Sequence, residues 1–145
     1  MKRTRKLDKI FYDLNKISNQ SSKNLINTLS VLLTNDSDIS KINKKFRNIN
    51  KPTNVLSFSS KKNHVKHFVK STNELHIGDI VLSMERIFKE SIIEKKSFNN
   101  HFLHILIHGI LHILGYDHVS YLQGKEMEKV EIKILSKLGV KDPYV

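Results

Sequence analysis

The chain has 145 residues, within the span of about 100–200 residues usual for one domain, and 39% of them are hydrophobic, enough for one packed core and too many for a disordered chain. It has no cysteine, which excludes a disulfide scaffold, a cysteine zinc finger and a thiol nucleophile. The net charge of +11 points to a polyanionic partner, most often nucleic acid, although heavy use of Lys, Asn and Ile with no Ala also reflects codon bias.

The opening Met1-Lys2-Arg3-Thr4-Arg5-Lys6 is basic, but no apolar stretch of the signal-peptide kind follows. The longest apolar run, Phe102 to Leu114, is 13 residues long and contains three histidines. A bilayer span needs about 20 apolar residues, so no integral membrane segment is expected and the default location is the cytoplasm. No repeat or linker divides the sequence, and residues 1–145 are read as a single domain.

Leu7, Ile10, Phe11, Leu14 and Ile17 have helical spacing in a segment otherwise rich in Lys, Asn and Ser. Leu25 to Thr34 reads as a strand. Asn35-Asp36-Ser37 offers capping oxygens to a helix with Ile39, Ile42 and Phe46 on one face, ending before Lys51-Pro52. Asn54 to Ser59 alternates apolar and polar residues as a strand does. Residues 60–73 carry many lysines with His64 and His67 and read as a surface loop. Leu75 to Leu82 is the next strand. Ser83 can cap a helix running to about Lys96, with Met84, Ile87, Phe88 and Ile92 as its apolar stripe. A helix over Asn99–Leu114 is apolar almost all round and belongs in the middle of the core. Gly115 stops it, and a last helix spans Tyr121 to Leu138. The expected fold is α+β, a small mixed sheet packed on helices.

The chemistry lies in His108-Gly109-Ile110-Leu111-His112-Ile113-Leu114-Gly115-Tyr116-Asp117-His118. His108 and His112 are one helical turn apart on one face, and Gly115 permits the turn that brings His118 back to them. The spacing is that of the extended zinc site of metzincins, a zincin-like arrangement. Three histidines leave a fourth position open, as in catalytic zinc sites, and imidazole suits Zn²⁺. Unpaired burial of such rings costs about 1–3 kcal/mol each, which favours a shared ion over ordinary core histidines. A zincin protease carries Glu after the first histidine as general base, whereas this chain has Gly109. Asp117 orients an imidazole, caps backbone at the turn, or replaces His118 as ligand. His104, one turn before His108, is a pocket residue or a plain core histidine. His64, His67, His76 and His101 lack useful spacing, and Asp79 is a weak candidate for supporting the site beside Gly78.

His108 to His118 resembles the H-G-x-L-H-L-x-G-Y-D-H signature of the YbeY endoribonucleases, the bacterial rRNA maturation factors, with Ile113 in place of Leu. Phe46-Arg47 through Pro52-Thr53-Asn54-Val55-Leu56-Ser57-Phe58 resembles that family's Y-R-x-x-x-x-P-T-D-V-L-S-F segment, and Ile77-Gly78-Asp79-Ile80-Val81 its L-G-D-I-V strand. Glu126-Met127, Glu131, Leu138-Gly139 and Asp142-Pro143-Tyr144 resemble its C-terminal part. The likeness covers roughly residues 28–145 and leaves residues 1–24 poorly matched. Asn54 stands where the family has Asp, and Asn48 where it has Gly.

The resemblance implies a single-strand-specific metallo-endoribonuclease with one zinc per chain. Its implied work is trimming the 3′ end of small-subunit rRNA and ribosome quality control. The implied partners are RNA and the ribosome, with ribosomal proteins or an assembly GTPase as further candidates and no membrane. Such a metal either activates a water or polarises a phosphoryl oxygen. Arg47, matching the family's arginine, is the candidate stabiliser of charge on the phosphorane oxygens, since a guanidinium fork matches phosphate. Two rivals differ in class. A zinc peptidase would need a base from elsewhere than Gly109. A non-enzymatic, zinc-stabilised assembly factor would bind RNA with steep salt dependence and yield no product.

Overall fold

A computed structural model of the chain describes residues 26–60 and 74–145. The helical spacing at Leu7 to Ile17 and the polar stretch at 61–73 lie outside the described residues. The described elements run β1 (Ile26–Thr34), α1 (Asp36–Arg47), β2 (Val55–Ser59), β3 (Glu74–Ser83), α2 (Met84–Ile93), α3 (Phe98–Ile113) and α4 (Tyr121–Lys137). Each matches an expected element, and the differences are at the ends. α1 stops at Arg47, before Lys51-Pro52 as expected. Asn48 there adopts a left-handed φ of 58° and returns its amide to the Asn43 and Lys44 carbonyls. α2 stops at Ile93, because Lys95 at φ 54° turns the chain toward Ser97, which caps α3. Asn35, Ser83, Ser97 and Ser120 each accept a first-turn amide with a side-chain oxygen.

The sheet has the order β1-β3-β2, with β1 parallel and β2 antiparallel to the central β3. This is the small mixed sheet of an α+β fold. Both faces of β3 are covered, which is why its run Ile80-Val81-Leu82 is apolar without alternation. Ile80 and Leu82 join the main core with Leu111 of α3 and Leu135 of α4. Val81 and Leu56 form a second, smaller core with Ile39 of α1. α3 is the buried central helix: sheet lies on one side and α2 and α4 on others, and eight of its residues are buried.

The expected apolar stripe of α2 is not its buried face. Ile87 is fully buried, but Phe88 is 54% and Ile92 62% exposed. The buried pair is Ile87 and Ser91, four residues apart. Ser91 satisfies its hydroxyl on the Phe88 carbonyl at 2.8 Å, and its small size lets α2 approach α3.

Two contacts tie the elements together. At the bulge where Thr28 and Leu29 oppose His76 and Gly78, a Cβ on Gly78 would lie 2.5 Å from the Phe58 carbonyl oxygen and 2.9 Å from Ile113. At the other end of the sheet, Asp36 accepts the Ser83 hydroxyl at 2.8 Å and pairs with Arg86 at 3.0 Å and Lys89 at 3.3 Å, joining α1 to α2. Burial pushes the Asp36 carboxyl up, but Ser83, Lys89 and Arg86 outweigh it and hold the group below its ordinary value.

Gly78→Ala is expected to lower unfolding stability by about 1–3 kcal/mol in urea titrations, since backbone must move. Asp36 titrates lower folded than unfolded, so its stabilisation is present above about pH 4 and fades as pH falls below that. Asp36→Asn should therefore lower the urea midpoint at pH 7, with the difference from wild type shrinking toward pH 3.

Candidate metal centre

The i, i+4 spacing on α3 sets His108 and His112 side by side, their Nε2 atoms 3.0 Å apart. The helix then ends at Leu114, and Gly115 at φ 101° reverses the chain. The Gly115 amide bonds the His112 carbonyl at 3.1 Å and the Tyr116 amide the Leu111 carbonyl at 3.0 Å, which fixes the reversal. His118 thereby returns, its ring stacked on that of His108 at 5.7 Å between centroids. One ring nitrogen from each of the three histidines lies within 4.8 Å of the others.

Hydrogen bonds on the far sides of two rings settle where their protons are. His112 Nδ1 contacts the Tyr116 carbonyl at 3.1 Å; a carbonyl only accepts, so Nδ1 carries the hydrogen. His108 Nδ1 donates to Glu131 Oε1 at 2.6 Å. Burial pushes the Glu131 carboxyl up, but His104, His108 and the Tyr144 hydroxyl outweigh it and bring it down to about 2, so it is ionised. His104 Nε2 is 3.7 Å from Glu131 Oε2, an electrostatic neighbour rather than a hydrogen bond. In the neutral form of both rings the Nε2 atoms are lone-pair donors facing each other. Protonating His112 gives no relief, because burial and the flanking His108 and His118 hold its pKa below the ordinary value. A cation between the nitrogens satisfies them, so this donor set fits a metal ion. Among the described residues no fourth protein ligand joins the cluster.

The three histidines lie on a cleft of about 620 Å³ whose wall includes Arg47, Thr53, Asn54 and Ser57. Arg47 is the exposed last residue of α1, and its guanidinium has no hydrogen bond or ion pair among the described residues. Asp117 also lines the cleft and accepts the His118 amide at 2.8 Å; it is not in the ligand cluster. His104 lies behind His108, 3.3 Å from the Tyr144 hydroxyl, with its Nδ1 buried and unpartnered. Asp79 is not on the cleft: it is exposed on β3 and pairs with His76 at 3.0 Å. His101 is 2% exposed and bonds Glu90, which also accepts the Asn54 amide at 3.1 Å.

Sequence reasoning passed over Glu131 and Tyr144 as site residues. The signal for Glu131 was present: with Met127, Ile134 and Leu135 it occupies the buried stripe of α4, where an acid is out of place. Nothing local to Tyr144 marked it. Gly109 abuts β2, where Ser57 donates to its carbonyl at 3.1 Å and a Cβ would lie 3.0 Å from Ser57 Oγ. A side chain at this position would press on Ser57 and Val55 of β2.

Comparison with known proteins agrees with this geometry. The sequence model of one family, described as Endoribonuclease YbeY, matches residues 2–139, starting well before the motif likeness near residue 28. The chain is 44% identical over 116 residues to an "Endoribonuclease YbeY" of Ruthia magnifica subsp. Calyptogena magnifica, covering 80% of this chain and 76% of that protein. A solution structure from Thermotoga maritima shares the fold at a TM-score of 0.56 and 24% identity, over 95% of this chain and 84% of that one. No helix among the described residues is long and apolar enough to cross a membrane. The chain belongs to the YbeY endoribonuclease family.

Proposed function

We propose that this chain is a single-strand-specific, zinc-dependent endoribonuclease of the cytoplasm that matures the 3′ end of small-subunit rRNA and serves ribosome quality control. The whole chain acts as one zincin-like hydrolase domain whose partners are rRNA and the ribosome. The observation that carries the reading is the pairing of two imidazole Nε2 atoms 3.0 Å apart with an arginine on the same cleft that is unpaired within the described residues. His108, His112 and His118 would hold one Zn²⁺, which supplies positive charge for a phosphoryl oxygen or a more acidic water. Glu131 and the Tyr116 carbonyl keep the first two rings in the ligand tautomer and orientation. Arg47, unpaired within the described residues, holds a phosphate of the strand and stabilises charge on its oxygens as the bond breaks. Asp117 fixes the backbone that delivers His118. The crowding at Gly109 argues against a peptidase with its base in that position.

Purified protein should cut an unstructured RNA oligonucleotide, with the activity lost in chelator and in His112→Ala. RNA binding without product under any metal condition would turn the reading to an assembly factor. Arg47→Glu should lower the cleavage rate by about 100-fold or more while zinc content by atomic absorption stays at one per chain. Loss of zinc in that variant would show instead that Arg47 supports the fold.

A further inference from the structure

Four aromatic side chains among the described residues are exposed: Phe46 at 61%, Phe88 at 54%, Tyr121 at 78% and Tyr144 at 46%. Two have local explanations. Tyr144 donates its hydroxyl to Glu131, and Phe88 packs on Phe98 beside the exposed Ile92 and Ile93. Phe46 and Tyr121 share two other features. A lysine ammonium stands over each ring, Lys45 at 5.3 Å from the Phe46 centroid and Lys125 at 5.8 Å from that of Tyr121. Each also adjoins a residue of the cleft: Phe46 precedes Arg47, and Tyr121 opens α4 three residues after His118.

Both rings are carried on supported backbone. Phe46 leans on Phe58 at 5.1 Å between centroids, and Phe58 packs on the small core of Ile39, Leu56 and Val81. Tyr121 is the first residue of a helix fixed by a capping box between Ser120 and Gln123. The surroundings of Phe46 are basic, with Lys44, Lys45 and Arg47 in the last turn of α1, and Lys45 has no ion pair among the described residues. Lys125 is held by Glu128 at 2.6 Å, so at that rim the ring, more than the ammonium, is available to a ligand.

We propose that Phe46 and Tyr121 are base-stacking platforms at two places on the cleft rim, each taking an unpaired base of a single RNA strand that crosses the centre. The inference rests on the RNA-cleaving reading above and extends it to how the substrate is chosen. A base offers its face to an aromatic ring only when it is out of a duplex, and every base has such a face. Stacking on these rings therefore selects single strands without selecting sequence. At the α1 rim, Lys45 and Arg47 meet the backbone phosphates next to the stacked base. At the α1 rim the basic last turn, Lys44, Lys45 and Arg47, favours a polyanion over an apolar protein segment.

The test uses the zinc-loaded full chain, an unstructured RNA and a duplex of the same sequence. Phe46→Leu and Tyr121→Leu should each raise KM for the single strand about tenfold with kcat held, and should narrow its preference over duplex. Phe46→Tyr and Tyr121→Phe should behave as wild type. Phe88→Leu, an equally exposed control, should change nothing. Fluorescence anisotropy in chelator reads binding where no cleavage competes. Wild-type KM in both leucine variants overturns the platforms, as does an aromatic replacement as weak as leucine. Should the wild type bind RNA without cutting it, the nuclease reading fails and anisotropy still decides the platforms. If it binds no RNA, both fall.

Discussion

The structure depends on two imidazole nitrogens that face each other at 3.0 Å, each holding a lone pair. In an isolated helix that arrangement relaxes at once, by rotating a ring or taking up a proton. Here both rings are held in place, and His112 resists the proton. The His112 ring is held by the Tyr116 carbonyl beyond the helix end, and the His108 ring by a carboxylate on another helix. Protonation of His112 is opposed by burial and by its two neighbours. Such a standing repulsion is tolerable only where a cation resolves it, and the cost of building it is spread over three elements.

That requirement explains why the core is arranged as it is. A carboxylate can reach His108 Nδ1 only if α4 lies along α3, and an ionised carboxylate can lie fully buried only if its other oxygen is also bonded. Tyr144, near the chain's end, meets that second need. On the opposite side α3 must sit close on β2 so that Ser57 and Ser59 cap the Gly109 and Ile113 carbonyls, at 3.1 and 3.4 Å. Gly109 is the residue that allows this approach. The apolar character of α3 is thus the counterpart of its chemistry: a helix held on several sides keeps its histidines within tenths of an ångström.

Much of this was legible because the informative spacings are local. The i, i+4 pair and the glycine turn are set by one helix end, so His108, His112 and His118 could be read as a cluster from their intervals alone. Asn35 and Ser83 announced helix starts for the same reason. What escaped was set by contacts between elements. Glu131 follows His108 by 23 residues, and only the packing of α4 on α3 brings them together. The buried face of α2 was misread because Phe88 and Ile92 form a convincing stripe, while the helix contact is in fact made by Ile87 with the small polar Ser91. α1 was expected to end before Lys51-Pro52, and it does; the left-handed Asn48 is the residue that stops it, next to the cleft residue Arg47.

The same reasoning accounts for Asn54, a departure from the resembling family pattern, which has Asp in that place. Asn54 is on the cleft wall, and its amide donates to Glu90 Oε2 at 3.1 Å. Glu90 in turn takes the buried His101 Nε2 at 2.8 Å, one face of α3 below the ligand histidines. An aspartate at this position would set a second carboxylate against Glu90, and one of the two would have to hold a proton. Asparagine supplies a hydrogen at the same reach without charge. The cleft wall that carries Thr53 and Asn54 is therefore tied through α2 to α3 by two side chains sharing one carboxylate. Glu131, the carboxylate that bonds His108, does not line the cleft, whereas Arg47 does.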